Sequence, residues 1–367
     1  MRALASSLNQ PIHKASEICE VLRFSRQPSP LPNLAPNEDT NVEFIDNSSR
    51  LNELADKWRE LWSRLADTTP FQSPEWLLPW WRHYGEGLLF SFAFWIKGEL
   101  AGFAPLYIYK NAADPWRRLF LLGTGSTDYL DAIFHPSFRE QCWQALVAEI
   151  QKRAASWDEC NFQRLRSDSP FLQDIAVNAG FRIERQKQEP CPVLDLRALN
   201  PANSMLKKAR YFSRKLRQIH PVLIQEAAAH SLDELFGALE RLHQDRWRAK
   251  SLAGALTHER DRSFHRQVAG LFLKSQILKL YALRVRERIV AVLYAFRHSK
   301  RTYFYLSGFD PEYGCLSVGS VLLCHAIEQA LRDECHLFDF LRGQEPYKYR
   351  WGACDQATFT RIIKKKS

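Results

Sequence analysis

Apolar residues recur at helical spacing in several parts of the chain. Between residues 46 and 65 they follow one another at intervals of three and four, which predicts an amphipathic helix. A short aromatic helix is predicted after Ser73 and Pro74, because serine caps a helix start and proline suits its first turn. The same periodicity predicts helices over residues 202–220 and 232–248. In the first of these we expect Tyr211 and Phe212 to pack inward.

The remaining hydrophobic pattern predicts the same order of elements twice along the chain: a hairpin, a strand, a helix and a final strand. The first copy covers residues 90–97, 100–109, 118–122, 138–155 and 161–166. The second copy covers residues 278–286, 289–297, 301–307, 317–334 and 336–341. Short stretches also match in sequence, 97–107 with 286–294 and 161–166 with 337–342. We infer the internal duplication of one α/β unit, and therefore two domains.

Composition sets the limits of this picture. With 367 residues, 46% hydrophobic and 25% charged, the chain is globular in character, which excludes global disorder and collagen-like sequence. Prolines crowd residues 26–36, so residues 1–40 are predicted to be a flexible N-terminal extension. We expect an N-terminal domain over 41–195 and a C-terminal domain over 196–367, the latter with a basic helical insertion over 202–250.

The cysteines and the hydropathy pattern exclude several classes of protein. None of the eight cysteines forms a C-x-x-C pair, so reduced thiols, a cytoplasmic location and no bound metal are expected. No apolar run approaches the roughly 18 residues that a transmembrane helix needs, and no secretory leader is visible. The motifs of P-loop enzymes and of dinucleotide oxidoreductases are also absent from the sequence.

The net charge of +10 predicts an anionic partner. Residues 202–220 contribute six cations and no acid. The cations of this helix could bind phosphates, or they could simply form a solvent-exposed helix face. Because the segment lies between the two copies, we expect the anion site near the domain junction.

The first candidate site is the loop that opens the second long helix. Small residues surround Gly314 and Gly319 between a predicted strand and a helix start. Free N–H groups and the helix dipole would favour a pyrophosphate there. The alternative interpretation is an ordinary helix start with Ser317 as its cap. The residues assigned to the donor are Leu316, Ser317, Val318, Gly319 and Ser320.

The second candidate site follows the last strand of the second copy. Residues 338–352 are dense in ionisable and aromatic groups at a strand end, where binding residues concentrate. Glu345 or Asp339 could be a general base, Lys348 or Tyr347 a proton donor, and Arg342 an anion clamp. The alternative is a structural corner of salt bridges.

Two smaller polar groups could bind an acceptor substrate. Asp128, Tyr129 and Asp131 follow a strand of the first copy, where the aspartates could hold a cationic or hydroxyl-rich substrate or could cap a helix. Arg246 and Trp247 end the helix over residues 232–248.

These motifs together resemble the CelD/BcsL-type proteins of the GNAT acyltransferase superfamily, which are related to the FemXAB peptidyltransferases. The resemblance spans about residues 42–355. It rests on Phe71–Gln72–Ser73–Pro74–Glu75–Trp76, Ala104–Pro105–Leu106, Leu122–Gly123, Asp128–Tyr129–Leu130–Asp131, Arg246–Trp247, Gly308–Phe309–Asp310–Pro311, Leu316–Ser317, Gly319 and the stretch from Asp339 to Gly352.

The resemblance implies a mixed α/β (α+β) fold of tandem GNAT-like domains, with central sheets flanked by helices. It also implies acyl-CoA (acetyl-CoA) as co-substrate, with its pyrophosphate at Ser317–Ser320, and substrate contacts from Trp76 and the acceptor group above. The usual superfamily loop is Q/R-x-x-G-x-G/A, whereas this chain has Gly314 at the Q/R position and Ser317 at the first glycine.

The sequence therefore predicts an N-acyltransferase that moves an acyl group, most simply acetyl, from acyl-CoA to an amine of a sugar or polysaccharide precursor. One alternative is a FemXAB-like transferase that uses aminoacyl-tRNA, with the helix over 202–220 on the RNA phosphates. Another is a non-catalytic scaffold of polysaccharide biosynthesis. A phosphorylated acyl donor is favoured over duplex DNA or a membrane as the anionic partner.

Overall fold

The computed structural model describes residues 40–111, 114–173, 181–248 and 254–366. The predicted N-terminal extension thus lies outside the described residues, apart from Thr40. Helices of the first half are α1 (Ser48–Glu53), α2 (Ala55–Arg64), α3 (Pro74–Tyr84) and α4 (Arg139–Lys152). Its strands are β1 (Asn41–Ile45), β2 (Leu88–Leu89), β3 (Ser91–Ile96), β4 (Glu99–Ala104), β5 (Leu106–Asn111), β6 (Asp114–Leu121), β7 (Ile133–Phe134), β8 (Glu159–Arg166) and β9 (Phe181–Asp195).

The second half repeats this alternation. Its helices are α5 (Ser204–Ile219), α6 (Leu232–Arg248), α7 (Glu259–Lys274), α8 (Val318–Arg332) and α9 (Pro346–Arg350). Its strands are β10 (Val222–Glu226), β11 (Leu278–Val285), β12 (Arg288–His298), β13 (Arg301–Phe309), β14 (Leu337–Asp339) and β15 (Cys354–Lys365). The expected mixed α/β fold is confirmed.

The strands form two sheets. The smaller sheet has the order β1-β3-β4-β7, and the larger one runs β10-β11-β12-β13-β14-β9-β15-β8-β6-β5-β2. Two strand pairs in the described part of the chain are parallel, β6 with β8 and β13 with β14. A helix joins the members of each pair, α4 in the first and α8 in the second, as a parallel connection requires. The two predicted copies therefore share the same strand–helix–strand crossover.

The long strands β9 and β15 were not foreseen from the sequence pattern, and they join the two halves. β15 pairs with β9 along most of its length and with β8 on its other side. The last strand of the chain therefore lies beside a strand of the first half, and one sheet runs through both predicted domains. The proposed domain boundaries remain a prediction.

The basic helix α5 packs on α8 through Leu206, Ala209 and Leu216, which are buried. Its six cations are all exposed. Phe212 is half-buried against the core, whereas Tyr211 is 52% exposed, so the expectation that Tyr211 packs inward is wrong. The physical reason is its place opposite the buried stripe of the helix.

No helix in the described ranges combines the length and the apolarity needed to cross a membrane.

Candidate functional site

A cavity of about 250 Å³ opens at the start of α8. Its apolar wall comes from β12, β13 and α8, and its polar groups include Ser307, Ser320 and Arg246. We call it the donor cavity. Of the predicted donor and catalytic residues, it gathers Ser317, Val318, Gly319, Ser320 and Tyr347. Leu316 does not line it and packs instead against the apolar core.

The cavity lies where two parallel strands separate. β14 pairs with β13 only from Arg301 to Tyr303, while β13 continues to Phe309. The edge of residues 304–309 that faces away from β12 is therefore not paired with β14. The pairing of β13 with β12 also shifts register beside Tyr305, as at a β-bulge. Such an edge offers backbone donors and acceptors to a ligand that occupies the gap.

The start of α8 is open to an anion. Ser317 adopts a left-handed conformation with φ 50°, and its side chain does not cap the helix. Its own N–H donates to the Gly314 carbonyl at 3.0 Å. The first N–H groups of α8 therefore lack a serine cap, and the helix dipole points its positive end at the cavity. A Cβ atom on Gly319 would lie 3.3 Å from the Phe309 ring, so glycine keeps this helix start uncrowded.

The loop after β14 is tied together by a buried lysine. The Lys348 ammonium donates to the carbonyls of Leu341, Arg342 and Gly343 at 3.3, 2.8 and 3.0 Å. It also lies 2.9 Å from the Glu345 carboxylate. Since an ammonium has three donors, these four acceptors occupy it fully. Its geometry makes Lys348 a positioning residue and does not support the predicted role of proton donor.

Glu345 is the carboxylate that this loop presents to solvent, with 55% of its side chain exposed. Partial burial raises its pKa, but the hydrogen bond and the charge of Lys348 outweigh that effect, so the pKa of Glu345 is lowered. The positive charge of Arg246 also lowers this pKa. Glu345 is therefore ionised at neutral pH and can accept a proton.

Tyr347 and Arg246 meet at the donor cavity. Burial raises the pKa of Tyr347, so the phenol keeps its proton at neutral pH. The Arg246 guanidinium lies 5.2 Å from the centre of the Phe309 ring and 3.5 Å from the Ser307 hydroxyl. Trp247 lies one residue further along α6, beside the ring of His243 at 5.8 Å.

Asp339, the other predicted base, is fully buried. Its carboxylate accepts hydrogen bonds from the Tyr129 hydroxyl at 2.9 Å and from the Leu341 N–H at 2.8 Å, and it pairs with Arg301 at 3.3 Å. Burial raises the pKa of Asp339, and Arg301 opposes that rise. A carboxylate so enclosed has no contact with a substrate, so its placement supports a structural role that joins the two halves.

Asp128 lies at the junction of the two halves. Its carboxylate is 3.3 Å from the Arg342 guanidinium. Burial raises the pKa of Asp128, while the Arg342 charge lowers it. The loop that carries Asp128 is fixed to the second half by the Tyr305 hydroxyl, which donates to the Ser126 carbonyl at 2.8 Å. The pairing of Asp128 with Arg342 was not foreseen from the sequence.

Asp131 faces a different cavity. This space of about 300 Å³ lies in the first half and is also lined by Thr68, Arg139 and Arg166. Burial raises the pKa of Asp131 to about 7, against the lowering effect of Arg166. Between the two aspartates, Tyr129 has a φ of 54°, which turns the chain. The structure therefore does not bring Asp128 and Asp131 together.

Trp76 and Tyr129 offer no surface to a ligand. Trp76 is fully buried, donates to the Thr127 hydroxyl at 2.9 Å and contacts the rings of Phe71 and Phe264 edge-on. Tyr129 is 1% exposed. Their placement supports core roles rather than the predicted substrate contacts.

Sequence reasoning missed Tyr305, Ser307 and Phe309 as site residues. Gly308, which lies between the last two, was a usable signal, because a Cβ there would lie 2.6 Å from the His243 backbone nitrogen. That glycine lets α6 approach β13, which brings Arg246 to the cavity.

Comparison with known proteins explains this arrangement. Residues 203–349 match the family model described as Acetyltransferase (GNAT) domain. This part of the chain is therefore similar to GNAT-type domains. It contains the donor cavity, Arg246 and the loop of Glu345 and Lys348. The CelD/BcsL type remains a prediction, and no curated protein matches the sequence.

Solved structures resemble nearly the whole fold. The structure of FemX has a TM-score of 0.60 at 9% identity and covers 87% of this chain and 96% of its own. The C-terminal domain of a putative lysylphosphatidylglycerol synthetase from Agrobacterium fabrum gives 0.53 at 14% identity, with 85% and 91% covered. A conserved protein of unknown function from Bacteroides thetaiotaomicron gives 0.53 at 10% identity, with 89% and 100% covered. At these identities the likeness concerns the fold alone.

Proposed function

We propose that the chain is an N-acyltransferase that uses acyl-CoA, with an amine of a sugar or polysaccharide precursor as acceptor. The observation that carries this proposal is the donor cavity, where an uncapped helix start meets an unpaired strand edge. The N–H groups of α8 suit a pyrophosphate. The edge of residues 304–309 suits the amide groups of a pantetheine arm, which pairs with a strand as a second strand would.

The chemistry follows from groups beside the cavity. The acceptor nitrogen attacks the thioester carbonyl, and Glu345 takes a proton from that nitrogen. Backbone N–H groups of the free β13 edge stabilise the oxyanion that forms. The C–S bond then breaks, and Tyr347 protonates the leaving thiolate. Arg342 is the proposed contact for the acceptor, because its side chain is 32% exposed at the junction, whereas its partner Asp128 is buried.

Titration calorimetry of the full chain with acetyl-CoA and with longer acyl-CoAs tests the donor. Saturable binding supports the proposal. No binding at about millimolar ligand would contradict an acyl-CoA donor and favour an aminoacyl-tRNA donor or a non-catalytic scaffold. Release of free CoA thiol with glucosamine, and separately with glucosamine phosphate, tests the acceptor. If acyl-CoA binds but neither amine is acylated, only the proposed sugar acceptor is contradicted, and the proposed donor stands.

Glu345→Gln tests the base. The variant keeps the three carbonyl bonds of Lys348, so acetyl-CoA affinity should hold while kcat falls about a hundredfold. Glu259→Gln is the matched control, because Glu259 also pairs with a cation three residues later but lies on α7 outside the donor cavity. An unchanged kcat in Glu345→Gln would remove Glu345 from the mechanism.

A further inference from the structure

The outer face of α5 combines charge with exposed apolar side chains. Tyr211 lies at its centre and is 52% exposed. Four cations surround Tyr211 at the helical distances of three and four residues, which place side chains next to one another: Lys207, Lys208, Arg214 and Lys215. Among the described residues, no ion pair engages these four, whereas Arg210 on the flank pairs with Glu328 at 2.9 Å.

The same surface ends in an aliphatic residue. Ile219 at the end of α5 is 52% exposed. Leu223 on the neighbouring strand β10 is also exposed, but it pairs with Arg284, which donates to Glu234 of α6, so it lies on the other face of the large sheet. Of the seven large hydrophobic residues that are exposed in the described ranges, two thus lie on α5.

The cations do not serve the donor cavity. None of them lines that cavity, whose walls come from other elements. The expectation that these charges mark a phosphorylated donor is therefore not supported by their placement, and they are available to a different anionic partner.

We infer that the outer face of α5, with Tyr211 and Ile219, is a docking surface for an anionic lipid bilayer. Lysine and arginine are attracted to the negative headgroups, while tyrosine and aliphatic side chains enter the boundary between headgroups and acyl chains. The exposed aliphatic side chain of Ile219 distinguishes this partner from RNA, which is held by cations and by stacking on aromatic rings. This inference does not depend on the proposed reaction.

Flotation of the full chain with vesicles tests it. Phosphatidylcholine vesicles containing phosphatidylglycerol should bind the protein, and pure phosphatidylcholine vesicles should not. Lys207→Gln/Arg214→Gln/Lys215→Gln should weaken binding about a hundredfold, because each cation near such a surface is worth about fivefold. Ile219→Ser should weaken it about tenfold.

Matched controls keep the test specific. Lys152→Gln/Arg182→Gln/Arg260→Gln removes three exposed cations elsewhere. Leu88→Ser removes a side chain that is 69% exposed on β2, the strand at the opposite end of the large sheet. Both controls should bind vesicles as the wild type does, and all variants should retain the wild-type circular dichroism spectrum since the altered side chains are exposed.

Three results would overturn the inference. The first is no binding of the wild type to anionic vesicles. The second is undiminished binding of Ile219→Ser, because the aliphatic side chain would then have no part in membrane binding. The third is saturable tRNA binding that the charge variant abolishes and the aliphatic variant retains, which would assign the surface to RNA.

Discussion

The two strand–helix–strand crossovers share a topology but differ where the helix begins. In the second half, α8 starts after the left-handed Ser317 without a side-chain cap. In the first half, α4 follows a short turn that begins with Pro136, and His135 Nδ1 accepts the N–H of Ser137 at 3.3 Å. The first backbone N–H groups of α8 are therefore left to bind a ligand. In the turn before α4, by contrast, the His135 side chain already accepts one of the backbone N–H groups.

The cavities beside the two helix starts differ in the same sense. At the helix start the donor cavity is lined by the small residues Ser317, Gly319 and Ser320, and it lies beside a free strand edge. The cavity near α4 contains the buried Asp131 together with Arg139 and Arg166. That cavity thus combines a buried carboxyl with two guanidinium groups, whereas the donor cavity presents an uncapped helix start. The comparison indicates that duplication of a fold need not duplicate its site, because the site depends on a few residues at the start of the helix.

The largest difference between the two halves is expected in acetyl-CoA affinity when a negative charge is introduced at each helix start. Gly319→Glu puts a carboxylate at the open start of α8 and a bulky side chain against Phe309, so acetyl-CoA affinity should fall about a hundredfold or more. Ser137→Glu places the same charge on an exposed residue just before α4 and should leave affinity unchanged. Calorimetry measures both. Equal losses in the two variants would refute a single donor site.

Asp131 should make stability depend on pH. Burial raises its pKa to about 7, while the unfolded value lies near 4. The protonated carboxyl stabilises the fold fully below about pH 4, and that contribution is lost as the pH rises through about 7. Asp131→Asn does not ionise, so between about pH 5 and pH 8 it should gain about 2 kcal/mol relative to the wild type.

Urea unfolding of both proteins at the two pH values checks this gain. Asp67→Asn is the control, because Asp67 lines the same cavity but is exposed. If the difference between Asp131→Asn and the wild type stays constant across that range, the carboxyl does not titrate there.

The crossover loops are also tied to each other. Tyr129→Phe removes a hydrogen bond to the buried Asp339 carboxylate and should cost about 2 kcal/mol of unfolding free energy. Tyr294→Phe removes a buried hydroxyl that has no hydrogen-bond partner among the described residues, so it should be neutral or stabilising. Thermal and urea unfolding of the pair decide the matter. A Tyr129→Phe protein as stable as Tyr294→Phe would mean that this bond does not join the halves.

Local patterns in the sequence were sufficient for much of the fold. The helical periodicities became α2, α3, α5, α6 and α8, and the repeated order became the two crossovers. Long-range pairing was not available from such patterns. β15 and β9 gain stability from one another across more than 150 residues of chain, and neither carries the strict alternation of a half-buried strand.

The candidate site likewise has a local part that the sequence predicts and long-range contacts that it does not predict. The loop of residues 317–320 was predictable, because a helix start is a local feature. The partners of the charged residues were not. Lys348 is fully used by three carbonyls of its own loop, and Arg342 meets Asp128 from the other half of the chain. Tryptophan in an aromatic motif suggested a ligand contact, whereas Trp76 is a core residue because six other rings surround it.

The smallest effect is expected from the loop that carries Glu345. Gly343 has a φ of 109°, and a Cβ on it would lie 2.5 Å from a Glu345 carboxylate oxygen. Gly343→Ala should therefore displace Glu345 and lower kcat about fivefold at unchanged acetyl-CoA affinity, with a backbone cost of about 1 kcal/mol.

Gly98→Ala in the hairpin of the first half is the control. Gly98 has a φ of 80° and open space around an added Cβ, so this variant should show the backbone cost and full activity. Steady-state kinetics and urea unfolding of both variants separate the two effects. Full activity in Gly343→Ala would indicate that catalysis does not depend on where the Glu345 carboxylate lies.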